Sequence, residues 1–196
     1  MIPRYFQIMA GVLLMLILIL GTYMTYLRHR EQALKPQAAS EVPAAPPVTG
    51  RQERIRMLVA YDDDQALRWR DTVAFMPADR GLRARVALRS VLAQYSQTPS
   101  PHPLGHGADI KDVYLISDDT LVVDTTAEFA DGHPSGILLE ELTLTSLIET
   151  LAANVPGVNK VKFLVNGQER ETLAGHADLM SFYQSSAIHE LAKEFE

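Results

Sequence analysis

Two histidines near the middle of the chain have the spacing at which imidazole rings can share a metal ion. His102 and His106 are four residues apart in the segment HPLGH, and Asp109 follows closely. On a helix this spacing would turn both rings towards one ion. Pro103 and Gly105 lie between them, however, so the segment is predicted to be a loop, and it fixes no third ligand nearby. We interpret both as solvated loop histidines and assign no metal site.

Acidic residues are frequent in the segment from 112 to 131. Two carboxylates that flank a glycosidic bond are the arrangement that glycosidases use. Strand alternation would send these side chains to different faces, and a solvated acidic sheet edge that discourages strand pairing explains them as well. We favour the acidic edge, and we keep an envelope hydrolase or a peptidoglycan- or sugar-binding protein as the alternative. The residues are Asp112, Asp118, Asp119, Asp124, Glu128 and Asp131.

Two further segments carry polar residues of the kinds found in ion sites and active sites. Asp62, Asp63 and Asp64 resemble the start of a calcium loop, but the required glycine and distal glutamate are missing, which favours a simple turn. His176 stands beside Gly175 in TLAGHADL, and no nucleophile or acid is suggested near it. We expect its ring to hydrogen-bond the backbone of a closing turn.

The motifs of the large catalytic families are missing from the sequence. There is no phosphate-binding loop, dinucleotide-binding glycine pattern, nucleophile elbow or HExxH zinc motif. The chain also has no cysteine, which excludes disulfides, thiolate metal sites, cysteine nucleophiles and lipid attachment to an N-terminal cysteine. We therefore assign no catalytic residue and no cofactor, and we predict that the chain is not an enzyme.

Four arginines form the one candidate interaction face. Arg80, Arg83, Arg85 and Arg89 fall on a predicted helix, mostly away from its apolar stripe. An ordinary exposed face explains them, and the sharper hypothesis is a patch for an anionic partner or lipid headgroup. The patch contrasts with its surroundings. Four basic and two acidic residues give the first fifty residues a charge of +2, so the total of −6 leaves −8 for residues 51–196. That charge argues against nucleic acid as a partner.

The start of the chain has the pattern of a single membrane anchor. After a short tail of residues 1–4, no residue from Tyr5 to Leu27 is charged, and about 20 such residues suffice to cross a bilayer. Tyrosines at both ends suit the membrane interface. Bulky and basic residues follow where a signal peptide would have a cleavage site, which favours an uncleaved helix. The flanking charges do not decide its orientation.

A spacer separates this anchor from the folded part. Residues 28–50 form a linker rich in proline and alanine, which we expect to be extended and semi-rigid. Residues 51–180 are predicted to fold as one small domain, followed by a helical tail of residues 181–196. The fold class is α/β (α+β), with a mixed sheet covered by two main helices, in the order β-β-α-β-β-α-β plus a C-terminal helix. Leu147, Leu151 and Phe163 should be buried together.

The predicted elements follow from apolar spacing and turn residues. Strands alternate or run apolar, helices show apolar residues at intervals of three and four, and Pro156-Gly157 ends the second helix. The segment AEFADGHPSG is predicted to be loop. The predicted strands and helices are Ile55–Tyr61, Arg70–Ala78, a helix from Gly81, a hairpin within Asp112–Thr125 turning at Asp118-Asp119, a helix from about Gly136 to Asn154, a strand through Val161, Phe163 and Val165, and a loose helix in Asp178–Phe195.

The order of these segments and their residue motifs resemble those of the GerMN domain of sporulation and spore-germination proteins, over about residues 55–180. The hairpin ends in Val123-Asp124 before Glu128-Phe129, and the second helix carries Ser146 and Thr150-Leu151. The break Val155-Pro156-Gly157-Val158 and the strand into Val165-Asn166-Gly167 complete the pattern.

The resemblance implies a small domain without known catalytic residues, displayed outside the cytoplasm and tethered by a lipid or an anchor helix. It also implies partners among other envelope or sporulation proteins, as in the ring-building modules of secretion-like assemblies, and it leaves oligomerisation open. We therefore expect a single-pass protein of the cell membrane with an extracytoplasmic domain. This chain departs from the pattern in lacking the lipoprotein cysteine and in having one copy where some relatives have two.

Overall fold

The computed structural model describes residues 50–195, together with Met15 and Tyr23. Residues 48–196 form one compact unit of the chain. The predicted anchor of residues 5–27 lies outside the described residues except for Met15 and Tyr23, both of which are helical and exposed. Within the described part of the chain, no helix combines the length and apolarity needed to cross a membrane.

The domain begins with an antiparallel hairpin that forms a two-stranded sheet of its own. Strand β1 is Arg51–Tyr61 and strand β2 is Ala66–Met76, with Arg51 paired to Met76 and Tyr61 to Ala66. Both strands are longer than predicted. The acidic turn forms as expected between them, and Gln65 closes it with a φ of 54°.

A mixed four-stranded sheet forms the second layer. Its strands are β3 (Ile110–Ser117), β4 (Thr120–Thr125), β5 (Lys160–Val165) and β6 (Tyr183–Gln184), in that spatial order. The β4–β5 pairing is parallel and the other two are antiparallel. The predicted hairpin is confirmed, with Asp119 accepting hydrogen bonds from the hydroxyls on both sides of the turn, Ser117 and Thr120.

Within residues 50–195, four helices accompany the sheets, and three of them were predicted. Helix α1 is Arg80–Tyr95, α2 is Ala127–Asp131, α3 is Ile137–Asn154 and α4 is Ser185–Ala192. Asp79 caps α1 by accepting from the Leu82 amide. The short helix α2 lies in the predicted loop AEFADGHPSG, because Thr126 caps it through the Phe129 amide. Gly157, with a φ of 81°, follows the end of α3.

The fold class is confirmed, but β1 and β2 do not join the larger sheet as predicted. The edge of β1 is instead occupied by polar side chains on the C-terminal half of α3. Thr150 accepts from the Leu58 amide at 3.0 Å, and Ser146 donates to the Leu58 carbonyl at 2.8 Å. Asn154 bonds both the amide and the carbonyl of Arg56, at 3.2 and 2.6 Å. We call Ser146, Thr150 and Asn154 the edge stripe, because they take the place of a neighbouring strand.

One hydrophobic core lies between the two sheets and the helices. Leu147, Leu151 and Phe163 are buried within it to 1% exposure or less, as predicted. The apolar stripe expected on α1 is buried too, from Ala84 to Tyr95. Helix α3 is therefore a central element, which packs the core on one side and the edge of β1 on another.

Candidate functional site

A groove runs between α3, α4 and the loop that follows Leu173. It has a volume of about 510 Å³, within the range of ligand-binding clefts. Most of its wall is apolar. The lining residues are Ile137, Leu144, Ala177, Tyr183, Ile188 and Leu191, with Glu141, Thr145, Gly175 and His176 as the others.

Glu140 holds the loop that forms one wall of this groove. Its carboxylate is fully buried, and Oε2 accepts from the amides of Ala174, His176 and Ala177 at 3.0, 3.0 and 2.8 Å. Burial by itself would raise the pKa of Glu140, but these amides and the His176 ring lower that pKa to about 2. The carboxylate is thus ionised at neutral pH and fixes the loop against α3.

His176 contacts this carboxylate and not the backbone, contrary to the prediction. Its Nδ1 lies 2.9 Å from Glu140 Oε1, and its side chain is 39% exposed at the groove. The prediction missed the partner because Glu140 lies 36 residues earlier in the chain. The segment TLAGHADL is a closing loop, as expected, and it also forms one wall of this groove.

Two polar side chains of the groove have no partner among the described residues. Glu141 is half-buried and, among the described residues, makes no ion pair or hydrogen bond. Thr145 is 1% exposed, and its hydroxyl has no hydrogen-bond partner. A buried hydroxyl without a partner costs stability, since water can no longer satisfy it. Glu141 and Thr145 therefore differ from the edge stripe, where each side chain is hydrogen-bonded.

The arginines of α1 contact their own chain. Arg80 donates to the carbonyls of Asp118 and Pro156, at 2.8 and 2.7 Å, and so links the β3–β4 turn to the end of α3. Arg83 donates to the Asn154 carbonyl at 2.8 Å and pairs with Glu53. That pairing lowers the pKa of Glu53.

The other two arginines lie beside the N-terminal half of β3. Arg89 binds both carboxylate oxygens of Asp109, at 3.0 and 2.7 Å, and donates to the Ile110 carbonyl. Arg85 lies 3.5 Å from the Lys111 carbonyl and from Asp112. The contacts of all four arginines have an internal, structural explanation, and their role in binding a partner stays a prediction.

His102 is buried, so the prediction of a solvated histidine is wrong there. Its Nδ1 lies 2.5 Å from Asp62 Oδ1, and its Nε2 lies 2.6 Å from the Thr143 hydroxyl. His133 contacts the same hydroxyl from the other side, at 2.7 Å. His106 is exposed, as predicted. Among the described residues, no three histidine, cysteine or acidic side chains are grouped to hold a metal.

Asp62, His102 and Thr143 contact one another in the order of a nucleophilic triad, but they serve as a hydrogen-bonded link inside the fold. Thr143 is 0% exposed, and its hydroxyl also donates to the Leu139 carbonyl one turn earlier. Burial lowers the pKa of His133, which favours its neutral ring. These contacts join the β1–β2 turn and the loop that carries His102 to α3.

Four of the six acidic residues of the middle segment have separate partners. Asp112 faces Arg85, Asp119 caps its turn, and Asp131 pairs with Arg170. Asp124 is 4% exposed and accepts from the Gly167 amide at 2.6 Å, so the prediction of a solvated edge is wrong for this residue. None of the six, which include Asp118 and Glu128, lines the groove or the two other clefts next to Asp63 and His106.

The C-terminal half of β3, which we call its outer half, exposes three consecutive apolar residues; the N-terminal half is the inner half. Tyr114, Leu115 and Ile116 are 49%, 41% and 58% exposed, and β3 is the end strand of its sheet. Successive strand residues point to opposite faces, so both faces of this half are apolar. The inner half differs, since Arg85 and Arg89 contact its carbonyls.

A family model described as Germane, for sporulation and spore germination, matches residues 58–171, which is more than half of the chain. The chain belongs to this family. The match begins within β1 and ends in the segment after β5, and it thus includes the edge stripe and the break at Pro156-Gly157. No curated protein gives a significant match to this Germane chain.

Solved structures with similar folds exist for other proteins. A protein from Clostridium perfringens described as a lipoprotein is 19% identical, with a TM-score of 0.49, and the match covers 74% of this chain and 95% of that one. The tandem GerMN domains of the sporulation protein GerM from Bacillus subtilis are 17% identical, with a TM-score of 0.47, over 67% and 45% of the two chains. The first GerMN domain alone is 16% identical, with a TM-score of 0.41, over 67% and 94%.

Proposed function

We propose that this Germane-family chain is a membrane-anchored interaction or assembly module of the cell envelope. Its domain stands outside the cytoplasm on the proline-rich linker. It binds other envelope proteins and does not catalyse a reaction. Sporulation or germination is the process that the family description suggests for it.

The exposed outer half of β3 is the observation that supports this proposal. An end strand presents unpaired backbone amides and carbonyls, and soluble proteins usually protect such edges with charges, proline or a covering element. Here Arg85 and Arg89 protect the inner half, whereas Tyr114, Leu115 and Ile116 are left exposed. A strand from another protein can add to such an edge, with its backbone supplying affinity and the apolar side chains supplying specificity.

Photocrosslinking in the cell tests the proposal. We would place a benzophenone amino acid at position 116 of the full chain, and at exposed Glu171 as the control. A discrete protein adduct at position 116, with none or a weaker one at 171, is the expected result. Equal adducts at both positions, or no adduct at either, would contradict an interaction edge at β3.

Topology can be tested cleanly because the chain has no cysteine. In a Glu171→Cys variant of the full chain, the introduced thiol is the only one. We expect a membrane-impermeant maleimide to label it in cells whose plasma membrane is intact. Labelling that requires lysis would place the domain in the cytoplasm and refute this part of the proposal.

A further inference from the structure

The groove between α3 and α4 has a charge that its own residues do not balance. Glu141 lines it without an ion-pair partner among the described residues, and none of the lining residues is lysine or arginine. Beneath it lies the ionised carboxylate of Glu140. The Tyr183 hydroxyl in the groove wall has a pKa raised to about 12. Burial is the largest cause, and the carboxylates of Asp178, Glu140 and Glu141 raise this pKa further. The recess thus combines apolar walls with a negative field.

That combination selects the chemistry of an occupant. Apolar walls favour an aliphatic side chain, because burying it removes apolar surface from water. A carboxylate at the edge of a low-dielectric recess attracts a cation more strongly than one in open water. A neutral or acidic segment would leave Glu141 desolvated without compensation.

The groove is also held in shape before any occupant arrives. Three backbone amides of one wall are fixed by Glu140, and Tyr183 donates from its hydroxyl to the Asp178 carbonyl. A preformed wall lowers the entropy lost on binding. Thr145, whose buried hydroxyl has no hydrogen-bond partner among the described residues, also lines the groove.

We propose that this groove binds a segment of a partner protein in which an aliphatic side chain stands next to a lysine or arginine. The proposal rests on the proposed function and specifies the chemistry of the partner. It assigns the binding of a cationic apolar segment to α3 and α4, apart from the edge of β3.

A short peptide titration tests this. The probe is the capped tetrapeptide acetyl-Gly-Leu-Lys-Gly-amide, and its match has norleucine in place of lysine. The full chain, in nanodiscs of zwitterionic lipid, carries labelled leucine and isoleucine methyl groups for NMR. We expect saturable shifts of Leu144, Ile188 and Leu191, and a dissociation constant about threefold to fivefold lower for the lysine peptide.

Two charge variants separate a site from bulk attraction. Glu141→Gln should remove the preference for lysine and bind both peptides alike. Glu128→Gln removes the same charge at an exposed residue outside the groove and should keep the preference. Equal binding of both peptides to the wild type, equal effects of the two variants, or no shifts at the groove methyls would overturn the proposal.

The result of this titration can be distinguished from the result of the crosslinking test of the proposed function. If position 116 crosslinks to a partner while the groove fails the titration, only the inference about the groove is lost. If the groove binds and no partner is captured through β3, the edge is wrong and the groove stands. Loss of both would remove the interaction module as the function.

Discussion

The two halves of α3 differ in whether their buried polar side chains are hydrogen-bonded. In the C-terminal half, the edge stripe of Ser146, Thr150 and Asn154 is fully hydrogen-bonded to β1 and neighbouring groups. In the N-terminal half, Glu141 and Thr145 have no such partners within residues 50–195, although both line a groove. Satisfied buried groups help to specify a fold, whereas an unsatisfied one needs an explanation, and here we propose a ligand as that explanation.

Glu140, like Thr143, lies in the N-terminal half and yet has several partners. Glu140→Gln keeps the shape of the side chain and removes its charge. Since its pKa falls from the ordinary 4.5 to about 2, we expect a loss of about 3 kcal/mol in the free energy of unfolding at pH 7. Urea denaturation of residues 48–196 would measure it.

The pH dependence of the same variant provides its control. A lowered carboxyl pKa stabilises the fold above pH 4.5, and that stabilisation is lost as the pH falls towards 2. The wild type should therefore lose stability across this range, and the variant should lose less. Parallel curves for both proteins would show that Glu140 does not clamp the loop through its charge.

The edge stripe should give the next largest effect. Thr150→Val keeps the volume but leaves the buried Leu58 amide without an acceptor, and we expect a loss of about 1–3 kcal/mol in the free energy of unfolding. Hydrogen exchange of the Leu58 amide should rise as well. A neutral substitution would mean that α3 does not act as the missing neighbour of β1.

Thr145→Val should have the smallest effect, and of the opposite sign. Its hydroxyl has no partner, so replacing it with a methyl group removes a desolvation cost without breaking a hydrogen bond. We expect stability to stay the same or to rise by up to about 1 kcal/mol. A loss comparable to that of Thr150→Val would show that Thr145 has a structural partner.

Local patterns predicted most elements of this fold. Apolar spacing gave α1 and α3, and Pro156-Gly157 marked where α3 ends. The separate sheet of β1 and β2 was not predictable from local patterns, because it depends on Thr150 contacting Leu58, 92 residues away. The burial of His102 was missed for the same reason, since Asp62 and Thr143 are 40 and 41 residues distant.

The groove left one usable signal in the sequence. Glu140 falls on the same helical stripe as Leu144, Leu147 and Leu151, so a charge occupied a position that the period assigns to the core. Such a residue needs partners, and the amides after Leu173 supply them. Which loop supplies them, and that Glu141 beside it would stay unpaired, follows only from the tertiary arrangement.

The matched pair of valine substitutions tests the division of α3 most directly. Thr145→Val and Thr150→Val make the same chemical change five residues apart on one helix, and unfolding of both can be measured side by side. We expect Thr150→Val to be less stable than Thr145→Val by about 2 kcal/mol, with the wild type at or slightly below the stability of Thr145→Val. Equal losses in the two variants would contradict the division of α3 into a structural half and a binding half.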